Sequence, residues 1–79
     1  MGDSVIYVPN HAFVNGKPTF NHKDCEYGII KSANDTFVFV NYVRQGIVQS
    51  TAQATDPRNL FLLSGESIID VLEVFNNLK

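Results

Sequence analysis

Seven consecutive residues, Phe37-Val38-Phe39-Val40-Asn41-Tyr42-Val43, constrain the fold of this chain more than any other segment. All but Asn41 are β-branched or aromatic, the types that pack best on a pleated surface. Side chains alternate along a strand, so Phe37, Phe39 and Val43 face one way and Val38, Val40 and Tyr42 the other. A half-solvated strand alternates apolar with polar, and this one does not. The run needs cover on both faces, which a single open sheet with one wet side does not provide.

Shorter β-rich runs flank it. They are Val5 to Val8, ended by Pro9, then Glu26 to Ser32, Ile47 to Thr51 or Gln53, and Leu60 to Leu63. Between them lie turn signals: Ala33-Asn34-Asp35, Gln45-Gly46, and Asp56-Pro57-Arg58-Asn59, which reads as a turn or a single 3-10 turn. Asn10 to Lys23 is a long polar loop carrying both histidines. This spacing predicts a mainly β protein, a small SH3-like antiparallel barrel of about five strands over residues 1–63.

Residues 64–79 change period. Ser64 is placed to cap a helix, Glu66 suits its first turn, and Ile68, Val71, Leu72, Phe75 and Leu78 recur at helical spacing. With Ile69 and Val74 the apolar arc widens to about 220°, twice what a surface helix buries. The expected C-terminal amphipathic helix therefore covers part of the barrel and part of a second copy. Size argues the same way: a chain of 79 residues buries only about 60–65% of its unfolded surface. A single cysteine excludes an internal disulfide, so the expectation is a homo-oligomer.

Charge excludes some partners. Six basic residues are spread almost evenly and the net charge is −2, where non-specific nucleic-acid binding needs cations converging on phosphates. No polybasic membrane patch is present, no apolar run approaches 18 residues, and Met1-Gly2-Asp3-Ser4 has no signal-like character. The expectation is a soluble cytoplasmic protein with no membrane partner, for which nucleic acid is a poor partner.

Asn21-His22-Lys23-Asp24-Cys25-Glu26 is the most function-like stretch. One thiolate with His11 and His22 suffices for zinc only if a carboxylate or water completes the set, and the spacing matches no finger or ribbon, so no metal ligand is assigned. Cys25 with a histidine is thinkable as a nucleophile, but nothing points to an oxyanion loop, and no catalytic residue or cofactor is assigned. The glycines are isolated, so no phosphate-cradling loop forms. Asn41, Tyr42, Arg44, Gln53 and Arg58 have the composition of a nucleotide-like ligand pocket, with a few polar groups on an aromatic wall.

Four segments occur in an order that resembles a widespread group of small bacteriophage proteins. They are Val8-Pro9-Asn10-His11-Ala12, Asn21 to Gly28, Ser32 to Val40, and Thr51 to Leu60, covering about residues 5–63. Lys23 stands where that group has Pro, and Asn41-Tyr42 where Arg-Phe or Arg-Tyr is common. The resemblance implies a non-enzymatic accessory protein acting in the host cell cytoplasm. By analogy with the oligomeric sponges that oppose Thoeris-type signalling, it would sequester a small nucleotide-derived immune signal. Arg44 or Arg58 would then hold phosphate, Tyr42 or Phe13 would stack, and Asn41, Gln53 and His22 would bond base or ribose. The alternative is an SH3-like interaction module that binds a host protein, or less readily nucleic acid, through the His11–Asp24 loop. A purely structural phage component would do neither.

Overall fold

The computed structural model describes residues 2–70. Eight strands are present: β1 (Ser4–Tyr7), β2 (Phe13–Val14), β3 (Lys17–Pro18), β4 (Glu26–Ala33), β5 (Val38–Arg44), β6 (Ile47–Val48), β7 (Gln53–Thr55) and β8 (Leu60–Leu62). Six of them form one antiparallel sheet of order β6-β5-β4-β1-β8, in which β7 also pairs with β5, and β2–β3 form a separate hairpin. Two 3-10 turns, Asn10–Ala12 and Pro57–Asn59, complete the framework. The protein is mainly β, as its sequence predicts.

The strongest run forms the central strand. Val38, Val40 and Tyr42 are buried, and Phe39, Asn41 and Val43 are half-buried, the parity read from the sequence. Those three buried residues join Val5, Ile30, Leu60 and Ile68 in the main core. A second cluster, Ile6, Val8, Ala12 and Phe61 with Phe13 and Cys25 against it, lies on the other face of β1 and β8. The long first connection thus folds back over the sheet and becomes a wall.

Turn chemistry explains the links. Asn34 Oδ1 accepts from the amides of Thr36 at 2.8 Å and Phe37 at 2.7 Å, which closes the β4–β5 turn. Gln45 and Gly46 have φ of 54° and 75°, a two-residue turn with both centres left-handed between the paired Arg44 and Ile47. Such turns match the strand twist of a hairpin. Gly28 is required by close approach: a Cβ there would collide with Val40 Cγ1 and stand 3.2 Å from Tyr42 Cδ1.

Three expectations need correction. The loop 10–23 is structured: Asn15 and Gly16, with φ of 52° and 77°, turn the β2–β3 hairpin. The expected fourth strand is two pieces, β6 and β7: the Gln49 amide still donates to the Tyr42 carbonyl at 2.8 Å, Asn41 Nδ2 donates to the Gln49 carbonyl at 3.1 Å, and the chain leaves β5 over residues 50–52 before returning to it as β7. Ser64 does not cap a helix. Gly65 (φ 95°) turns the chain there, helical geometry begins at Ile68, and Ser67 Oγ accepts from the Ile69 amide at 3.3 Å. Beyond Asp70 the expected helix, and the wide stripe of Val71, Leu72, Phe75 and Leu78 behind the expected homo-oligomer, lie outside the described residues. Among the described residues no helix is long and apolar enough to cross a membrane.

Candidate functional site

A polar groove of about 410 Å³ runs between the first connection and the second 3-10 turn. Tyr7 and Asn10 form one wall, Asp56 and Asn59 the other, with all of β7, Glu26 and Tyr42 also lining it. A second hollow, about 330 Å³, continues from it past Phe13 and Arg58 and shares Asn10, Asp56 and Asn59.

Asn59 holds the two walls together. It is 9% exposed, and its side-chain amide donates to the Val8 carbonyl and to Asn10 Oδ1, each at 2.8 Å. Its own carbonyl accepts from the Val8 amide at 2.8 Å. Asp56 positions this residue by starting the turn, accepting from the Arg58 amide at 2.9 Å. Pro57 follows at the first position of the turn, where its missing N–H costs nothing. Buried polar groups are normally hydrogen-bonded, and among the described residues no fully buried side-chain nitrogen or oxygen lacks a partner.

The seven residues expected to touch a ligand are partly gathered here. Tyr42 and Gln53 line the groove, and Phe13 and Arg58 line its extension. Tyr42, 5% exposed, does not offer a free ring face for stacking. Its hydroxyl is bonded to Thr55 Oγ1 at 2.7 Å and its ring meets Tyr7 edge-on at 6.1 Å, and burial pushes its pKa up. Phe13 is half-buried against Phe61. Asn41 points away from Tyr42, as neighbours on a strand must, and fastens residue 49. His22 lines neither hollow and lies half-buried beside His11 and Asp24.

Both arginines are already paired. Arg44 Nε donates to Glu26 at 3.2 Å, and Arg58 clamps Asp56 through Nε at 3.2 Å and Nη2 at 2.7 Å. The side-chain hydrogen bond from Arg58 holds the Asp56 carboxyl below its ordinary range. Sequence reasoning missed Asn59, Asn10, Tyr7, Glu26 and Asp56. The one usable signal was the Asp56-Pro57 start of the turn, since Asp and Pro are the residues that begin such turns.

On the outer surface, His11, His22 and Asp24 converge. His11 Nε2 donates to Asp24 Oδ2 at 2.8 Å, and the Asp24 amide donates to His22 Nδ1 at 3.0 Å. The two imidazoles meet edge-on at 5.2 Å. The hydrogen bond from His11 is the main reason the Asp24 carboxyl is held below its ordinary range. Cys25 is not part of this cluster. Its thiol donates to the Thr19 carbonyl at 3.3 Å, and burial, the largest cause, pushes its pKa up. Since the thiolate is the reactive form, Cys25 is expected to react with iodoacetamide at neutral pH more slowly than free cysteine. In urea that protection is lost, which a timed alkylation followed by mass spectrometry measures.

Comparison with protein-family models, curated proteins and solved structures finds no match.

Proposed function

We propose that the chain is a non-enzymatic binding module, an SH3-like barrel that holds an extended segment of a partner protein in the groove between its two 3-10 turns. Topology supports the barrel. β7 sits on β5 while β8 sits on β1, yet only residues 56–59 join β7 to β8, so the sheet has to curl to bring its ends together. The observation that carries the function is the preformed groove, whose walls are tied by the buried Asn59 side chain. Ordered walls lower the entropic cost of binding. The groove also includes the whole of β7, which among the described residues pairs on one side only. An unpaired edge offers backbone hydrogen bonds to an extended chain.

The chemistry of the groove favours a polar segment over a nucleotide. Arg44 bonds Glu26 through Nε and Arg58 bonds Asp56 through Nε and Nη2, so a phosphate arriving at either guanidinium would meet a carboxylate beside it. The raised thiol pKa of Cys25 supports a role without nucleophilic chemistry. The resemblance to small phage proteins extends the reading to a host protein as partner, bound in the host cytoplasm and in competition with its normal contacts.

Selection of a displayed library of random peptides on the immobilised protein tests this. The expected peptides lose about tenfold or more in affinity, 1.4 kcal/mol, when exposed Gln53 becomes Lys, and nothing when Val14 on the outer hairpin becomes Ser. A library that yields no binder, together with a melting temperature raised by cyclic ADP-ribose isomers or cyclic dinucleotides, would replace this reading with nucleotide sequestration.

A further inference from the structure

We propose that His11, His22 and Asp24 form a site for one divalent transition-metal ion, zinc being the best fit. One ligand atom from each residue lies within 4.8 Å of the other two. Asp24 Oδ2 is 2.8 Å from His11 Nε2 and 4.0 Å from His22 Nδ1. Zinc bonds of about 2.0–2.1 Å in a tetrahedron set ligands about 3.3 Å apart, a spacing that falls between those two distances. Seating the ion needs side-chain adjustment of an ångström or so and no new path for the backbone.

The scaffold under the three residues is held. His11 lies in the first 3-10 turn, closed by the Ala12 amide on the Pro9 carbonyl at 2.9 Å. The turn carrying His22 and Asp24 is bracketed by the His22 amide on Thr19 at 3.2 Å and the Cys25 amide on His22 at 3.1 Å. His22 Nδ1 accepts a hydrogen bond, so that nitrogen carries no proton and has the lone pair a metal needs. Coordination would release the Asp24 amide to water at this exposed surface. His11 Nε2 would give up the proton it shares with Asp24, to its own Nδ1 or to solvent, and the ionised Asp24 carboxylate is already in the form that ligates.

Two imidazole nitrogens and one carboxylate oxygen select zinc, cobalt, nickel or copper over magnesium and calcium, which prefer all-oxygen sets. Three protein ligands leave a coordination position for water. Cys25 takes no part, since its thiol is turned to Thr19. The ion would staple His11 to a turn 13 residues away in sequence, next to Asn10 of the groove wall.

The test uses the untagged full chain, stripped with EDTA and titrated with zinc chloride by calorimetry, with cobalt(II) absorption as a second reading. One zinc per chain is expected, with a higher melting temperature and no response to magnesium or calcium. The chain has only two histidines, so both imidazole NMR signals should move together over the first equivalent. His11→Ala and Asp24→Asn, both exposed, should each weaken binding about tenfold or more, and His22→Gln likewise, while Cys25→Ser should leave it unchanged. Zinc that gives neither heat nor stabilisation would overturn the proposal. So would binding as tight in the histidine and Asp24 variants, or binding lost only with Cys25, which would mark a thiolate site instead.

Discussion

Gly28→Ala is expected to destabilise the fold by about 1–3 kcal/mol, the usual cost of forcing an extra carbon into a packed core. The added Cβ would strike Val40 Cγ1 and stand 3.1 Å from the Asn41 carbonyl and 3.2 Å from Tyr42 Cδ1. Val40 is fully buried and Tyr42 nearly so, so neither has space to retreat. Alanine also restrains the unfolded chain, a gain of about 0.4–1 kcal/mol, and the steric cost exceeds it. A domain of 79 residues has about 4–12 kcal/mol of stability in all, so the loss is visible as a lower urea midpoint at unchanged slope. Because Gly28 opposes Tyr42 across β4 and β5, the same change should disturb the Tyr42–Thr55 hydrogen bond at the floor of the groove. An unchanged midpoint would mean that the two strands are not packed as described.

Asn59→Ala is expected to cost a similar amount, about 1–3 kcal/mol, by leaving a buried acceptor without its donor. The Val8 carbonyl loses its bond to the Asn59 side chain, and Asn10 Oδ1 loses its own. Val8 is fully buried, so water does not readily replace the missing donor. The groove should loosen before the sheet does. Hydrogen exchange at the Ala12 amide, which closes the first 3-10 turn, should accelerate more than exchange in β4 and β5. Equal acceleration everywhere would make Asn59 an ordinary stability residue and not a tie between walls.

These two residues also show how far the sequence can be read. Strand identity and facing were legible in Phe37–Val43 because alternation is local, and the structure buries Val38, Val40 and Tyr42 together. The β2–β3 hairpin was legible too, in Asn15-Gly16, a dipeptide suited to turns with both centres left-handed; the polar character of the loop masked it. The break between β6 and β7 was not legible, because Ser50-Thr51-Ala52 carries no glycine or proline to mark where the chain leaves β5. The site was the least legible part. Asn59 meets Val8 and Asn10 across 51 and 49 residues, and Arg44 finds Glu26 across 18. Composition proposes such residues without saying which of them are already satisfied by each other. Phe13, Tyr42, Gln53 and Arg58 reached the groove or its extension, whereas Asn41 and His22 have other partners.

Partners are expected to bind in the groove between the two 3-10 turns. Amide chemical-shift mapping of the 15N-labelled chain, titrated with a peptide selected from the displayed library, tests it most directly. The predicted result is a continuous set of shifts over Tyr7, Asn10, Gln53 to Asp56, and Asn59, with Lys31 and Ser32 of β4 unmoved. Shifts centred instead on Phe20, Tyr27 and Leu63, an apolar patch lying elsewhere on the surface, would contradict it.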